Sequence, residues 1–141
     1  MKLNFILYVL MVSTLWAGGK KSGIAIKGQY AYVLDGRKNF FVYSIANPLE
    51  PVLTDSIRLN ENATNIKLWN NIAVVAGGAQ FSKTKIQFLD LSNPSTPNLM
   101  SKDINDSAIV VEIKNNRLYA LDNKGKILAI RPMWTLSQKV K

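Results

Sequence analysis

Ile26-Lys27-Gly28-Gln29-Tyr30-Ala31-Tyr32-Val33-Leu34-Asp35 is written again as Leu68-Trp69-Asn70-Asn71-Ile72-Ala73-Val74-Val75-Ala76-Gly77, and a third time as Ile113-Lys114-Asn115-Asn116-Arg117-Leu118-Tyr119-Ala120-Leu121-Asp122. Each copy puts two turn-forming residues between apolar stretches. Gly and Asn tolerate the positive φ that a two-residue hairpin demands, so every copy reads as an antiparallel hairpin. The copies are offset by 42 and then 45 residues, the length of one four-stranded propeller blade.

A second landmark repeats with the first. Ser44-Ile45-Ala46-Asn47-Pro48-Leu49-Glu50-Pro51 returns as Asp90-Leu91-Ser92-Asn93-Pro94-Ser95-Thr96-Pro97 at an offset of 46. Proline lacks a donor N–H and fixes φ, so each block is a connection between strands. The difference between the offsets of 42 and 46 locates an insertion between Gly77 and Gln87, and insertions go to loops.

Each unit then divides into four strands. The innermost are Ile24 to Lys27, Asn65 to Trp69 and Ile109 to Lys114. The second strands, Tyr30 to Leu34, Ile72 to Ala76 and Arg117 to Leu121, are nearly continuous apolar runs, as expected of strands covered on both faces. Third strands follow at Phe40 to Ile45, Ile86 to Leu91 and Lys126 to Ile130, and fourth strands at Val52 to Arg58 and Leu99 to Ile104. Trp134 to Val140 is the expected fourth strand of the third unit, although Gln138 falls on its apolar phase. The expected fold is all-β: three tandem four-stranded antiparallel blades, at about 24–60, 64–106 and 109–140, forming a partial β-propeller that is an open arc in a single chain.

The residues of the second unit, Ile86-Gln87-Phe88-Leu89-Asp90 followed by Leu91-Ser92-Asn93-Pro94-Ser95-Thr96-Pro97, resemble the signature of the LVIVD-repeat proteins. Gly28 to Gly36 is similar to the segment that precedes that signature in each repeat. The first copy, Phe40-Phe41-Val42-Tyr43-Ser44, keeps the apolar character and loses the Asp. The third, Ile127 to Pro132, loses both the Asp and the Asn-Pro turn. The resemblance spans roughly residues 24 to 132. It implies a β-propeller of a kind common in exported bacterial proteins without an assigned enzymatic activity, and it transfers no catalytic residue.

The N-terminus reads as an export signal over residues 1–19. Lys2 gives a positive start, Phe5 to Val12 an unbroken apolar stretch, and Leu15-Trp16-Ala17-Gly18-Gly19 a small-residue exit with cleavage after Ala17 or Gly19. The apolar stretch is too short for a stable membrane span. The repeat region then covers 20–141, and the expected location is the periplasm, the cell surface or the extracellular space.

Cysteine and histidine are both absent. That excludes disulfides, thiolate or imidazole zinc sites, c-type haem attachment and any nucleophile system that needs His or Cys. No Asp-x-Asp calcium loop occurs among the nine acidic residues. Asp35 and Asp122 hold equivalent ends of second strands, where an acid ordinarily accepts backbone N–H groups in a turn. The expectation is therefore a protein that is not an enzyme, with no catalytic residues, no metal and no cofactor.

Charge supplies the remaining lead. The formal +9 falls to +8 without Lys2, and the excess is patterned. Arg37 and Lys38, Lys83 and Lys85, and Lys124 and Lys126 lie in or beside the connection between second and third strands, one basic pair per unit. A propeller rotation would place them on one rim, opposite the turns at Gly28, Asn70 and Asn115, with an acidic protein or an anionic glycan as the partner. Lysine at hairpin tips also keeps sheet edges solvated without any partner. Nucleic acid is not expected, because basic and aromatic residues do not interleave into a stacking platform. Asn62-Ala63-Thr64 and Asn105-Asp106-Ser107 match the glycosylation acceptor pattern. The strand aromatics, Trp69 included, are expected to pack between blades.

The leading function is thus an exported, non-enzymatic binding or interaction module. The alternatives are a truncated remnant of a longer propeller without independent function, and a propeller-type enzyme. Three units are fewer than the four to eight that usually close a ring. Self-association, missing blades supplied by another chain and an open monomer with a shielded edge all remain open.

Overall fold

The computed structural model describes residues 22–78, 83–101 and 104–131. The proposed export signal at 1–19 and the expected strand at 134–140 lie outside the described residues. No helix occurs among those described, which form three antiparallel sheets.

The first sheet is β1 (Gly23–Lys27), β2 (Tyr30–Leu34), β3 (Asn39–Ser44) and β4 (Val52–Arg58), hydrogen-bonded in chain order. The second contains β5 (Asn65–Trp69), β6 (Ile72–Ala76), β7 (Thr84–Asp90) and β8 (Asn98–Leu99), with β9 (Ile104–Ala108) also paired to β7. β10 (Val110–Lys114), β11 (Arg117–Leu121) and β12 (Ile127–Ile130) make the third. The inner hairpins turn where the sequence places them. Gly28, Asn70 and Asn115 have φ of 56°, 51° and 50°, and each hairpin closes in strict register, as in Lys27 opposite Tyr30.

The sheets stack face to face. Side chains alternate along a strand, so each sheet presents two separate faces. Tyr32, Leu34, Phe40 and Val42 of the first sheet meet Ile66, Ala73, Val75 and Leu89 of the second. The opposite face of the second sheet, with Val74, Ala76, Ile86 and Phe88, meets Val111, Leu118 and Ala120 of the third. The middle sheet is consequently covered on both sides, and Ala73 to Ala76 are all fully buried. β11, at the end of the stack, instead alternates between buried and more exposed positions. The rings of Tyr32 and Phe40 pack with centroids 5.6 Å apart, and burying side chains of this size contributes about 2–3 kcal/mol each.

The second sheet departs from the expected single outer strand at Leu99 to Ile104. That strand is interrupted after Leu99, and β9 runs on through Asn105, Asp106 and Ser107 to Ala108, pairing Thr84 with Ala108 and Lys85 with Ser107. The residues expected to form a loop are therefore a strand, and Ile109 alone separates β9 from β10. In the first unit the corresponding stretch stays irregular because a side chain takes its backbone donors: Gln87 Oε1 accepts the N–H groups of Asn60 and Glu61 at 2.8 and 3.2 Å. Leu128 stands at the position of Gln87 in the third sheet and offers no acceptor, so the second unit finds its partners in the backbone of β7.

Candidate functional site

The inner strands β1, β5 and β10 run side by side in the same direction. At one end Lys27 Nζ donates to the carbonyl of Asn70 at 2.8 Å and also to Asn71 Oδ1. There too Trp69 Nε1 donates to Asn116 Oδ1 at 2.5 Å. At the other end Val111 N donates to Asn65 Oδ1 at 2.9 Å, and Thr64 lies against both Gly23 and Gly77. The hairpin turns therefore share one end of the stack. Antiparallel pairing puts the β2–β3, β6–β7 and β11–β12 connections at the opposite end.

This second end carries the six basic residues. Arg37 is exposed and Lys38 half-buried in the β2–β3 connection, while Lys83 and Lys85 are exposed at the start of β7. Lys124 and Lys126 are exposed in the β11–β12 connection. Backbone and side-chain bonds tie the first two connections together through residues 61–63. Ala63 N donates to the carbonyl of Arg37 at 3.0 Å, and Lys85 N to Glu61 Oε2 at 2.7 Å. Lys83 is close enough to Asp122 to help lower its pKa.

The acids of this end are engaged with the backbone. Asp35 Oδ1 accepts Arg37 N at 2.9 Å, and its Oδ2 accepts Asn39 Nδ2 at 2.6 Å. Asp122 Oδ1 accepts the N–H groups of Lys126 and Lys124, each at 2.8 Å. The bond from Lys126 N is the main cause that holds the Asp122 carboxyl below the ordinary carboxylate range, with Lys124 N, Lys83 and the Lys124 charge adding to it. Turn acceptance is thus the structural role of both aspartates. Lys67 pairs with Glu112, 3.1 Å apart on the inner strands and away from this rim. No group of three His, Cys, Asp or Glu able to hold a metal ion occurs among the described residues.

Trp69, beside its turn, is 4% exposed and packs against the third sheet. Gln87 escaped sequence reasoning. It is 3% exposed, and besides accepting two N–H groups it donates through Nε2 to the carbonyl of Glu61 at 3.2 Å. The signal was a single amide inside the apolar run Ile86-Gln87-Phe88-Leu89. The Lys67–Glu112 pair was equally unforeseen, since it joins two units that only stacking brings together.

The model of the LVIVD repeat matches residues 18–58 and 62–102. No curated protein sequence matches the chain. Among solved structures, the chain is similar to the crystal structure of the computationally designed Ika4 protein, with 13% identity, 80% of this chain and 91% of that chain covered, and a TM-score of 0.45. The two matched repeats hold the first sheet and most of the second, leave out the diverged third unit, and together span more than half of the 141 residues, so the chain belongs to the LVIVD-repeat family.

Proposed function

We propose that this chain is an exported, non-enzymatic interaction module that holds an anionic partner on the rim formed by Arg37, Lys38, Lys83, Lys85, Lys124 and Lys126. One observation carries the reading: six cationic side chains share this end with the carboxylates of Asp35, Glu61 and Asp122, each of which accepts backbone N–H groups. Ammonium and guanidinium groups spread over three adjacent connections suit a polyanion better than a single small anion, because each contact is modest and they add along the strip. An anionic glycan with sulfate or carboxylate groups fits this chemistry. The export signal read in residues 1–19 supports placing that encounter outside the cytoplasm, and the lack of His and Cys supports binding without catalysis.

Heparin chromatography tests the rim. The full chain is expected to be retained and to elute at lower salt as Arg37, Lys38, Lys83, Lys85, Lys124 and Lys126 are reversed in charge, while far-ultraviolet circular dichroism stays unchanged. Retention that survives reversal of all six overturns the reading. A reporter fused behind residues 1–19 tests export separately, with cytoplasmic retention as the contrary result.

A further inference from the structure

The fold places the cations of the rim at repeating positions. Asp35 Oδ1 accepts Arg37 N at 2.9 Å, and Asp122 Oδ1 accepts Lys124 N at 2.8 Å. The same turn therefore presents one exposed cation at the same place in the first and third sheets. The second unit has Gly77 where the others have an aspartate, and its exposed cation is Lys83, just ahead of β7. Ties on either side keep the three in line. Ala63 N donates to the carbonyl of Arg37, and two residues before it Glu61 accepts Lys85 N near the start of β7. On the other side, the Asp122 carboxylate feels the charges of both Lys83 and Lys124. The order of the sheets in the stack is thus also the order of the cations along the rim.

Spacing follows from stacking. Sheets packed face to face lie about 10 Å apart, so the three cations mark a line of about 20 Å that crosses the sheets. Within one connection, by contrast, the cation sits beside a carboxylate, as Arg37 does beside Asp35 and Lys124 beside Asp122. A single small anion gains one modest contact there. A polymer with charged groups at regular intervals makes its later contacts at the raised local concentration set by the first. The opposite end of the stack offers no such line. Lys27 is bound to the turn of the second sheet, and Trp69 stands at its place in that sheet.

We propose that a linear acidic glycan lies across the three sheets, held at successive points by Arg37, Lys83 and Lys124. The inference rests on the anion-binding reading and adds to it the direction of the ligand and its least length. The guanidinium at the first point suits a two-pronged contact with a carboxylate or sulfate. Ammonium groups hold the other two points as simple charges.

Isothermal titration of the full chain with size-fractionated heparin oligosaccharides, from disaccharide to octasaccharide, is the test. Affinity is expected to rise with length and to level off once a fragment reaches all three cations. Arg37→Gln, Lys83→Gln and Lys124→Gln should each weaken octasaccharide binding about fivefold, the upper range for one exposed charge contact. Each should leave the disaccharide nearly unchanged, because it moves to another connection. Lys114→Gln, the same change of charge at the hairpin-turn end, should alter neither, and circular dichroism checks that all four variants fold. A disaccharide bound as tightly as the octasaccharide overturns the proposal while leaving the anion-binding reading intact. So does a single substitution that abolishes binding of both while the others have no effect, since the ligand then sits within one connection. Equal weakening by all four variants shows a diffuse effect of charge and also overturns the proposal. No binding of any fragment overturns the anion-binding reading itself, and the proposal with it.

Discussion

The side-chain oxygen of Gln87 accepts the backbone N–H of Asn60 at 2.8 Å, across 27 residues of sequence. One buried amide thereby fixes the path by which the chain leaves the first sheet and enters the second. Gln87→Leu matches the apolar neighbours in the strand but leaves the N–H groups of Asn60 and Glu61 without this acceptor. We expect a loss of about 2 kcal/mol, read as a lower urea midpoint, with a larger loss than Leu99→Ala produces at the edge of the same sheet.

Gly77 and Gly125 share a φ of 81°, yet their surroundings differ. A Cβ on Gly77 collides with the carbonyl oxygen of Ile109 and comes within 2.7 Å of Thr64 Oγ1, whereas a Cβ on Gly125 meets nothing within 4 Å. Gly125→Ala should cost about 1 kcal/mol for the backbone conformation alone. Gly77→Ala should cost about 3 kcal/mol or more, because the rigid backbone of the link into β10 cannot move away. Equal losses in thermal unfolding would mean that the close approach contributes nothing.

Burial raises the pKa of Tyr32, with the neighbouring Tyr30 adding to the shift, and burial alone raises that of Tyr43. The folded state therefore keeps these protons to higher pH than the unfolded chain does. Their contribution to stability is complete below the ordinary phenol range and is lost as pH rises through their own higher values. Tyr32→Phe should be about 1 kcal/mol less stable at neutral pH, through loss of the bond to Pro94. It should also show a shallower alkaline decline in urea midpoint than the unsubstituted chain.

The acid limb has the opposite sign. Asp122 is held low mainly by Lys126 N, and Asp90 by the hydroxyl and then the N–H of Ser92. Glu112 is held low by Ile113 N and then by Lys67. Folded carboxylates with depressed pKa values stabilise above the ordinary carboxylate range, and that contribution disappears as pH falls through their own lower values. Asp122→Asn should therefore reduce stability at neutral pH and flatten the acid side of the profile. An acid profile unchanged in shape would show that the turn does not depend on the charge.

Much of the stack was legible because its signals are local. Gly28, Asn70 and Asn115 announce positive φ, and the two Asn-Pro blocks announce connections, since each reports a backbone constraint that a few residues impose by themselves. The basic pairs were legible as a pattern, because hairpin connections alternate between the two ends of antiparallel strands. The outer edge of the second sheet was not. Whether Asn105 to Ala108 forms a loop or a strand depends on whether a neighbouring sheet offers a side-chain acceptor, and Leu128 in place of Gln87 is visible only after the sheets are stacked.

The sequence by itself determined three units, their hairpins and the order of the first three strands within each sheet, all set by turn chemistry and period. Tertiary structure decided what lies between units: Gln87 on Asn60, Tyr32 on Pro94, Lys67 beside Glu112, and which apolar faces meet. Those contacts join residues 27 to 62 positions apart. No local periodicity specifies them, because their energies arise only when one sheet covers the next and removes both surfaces from water.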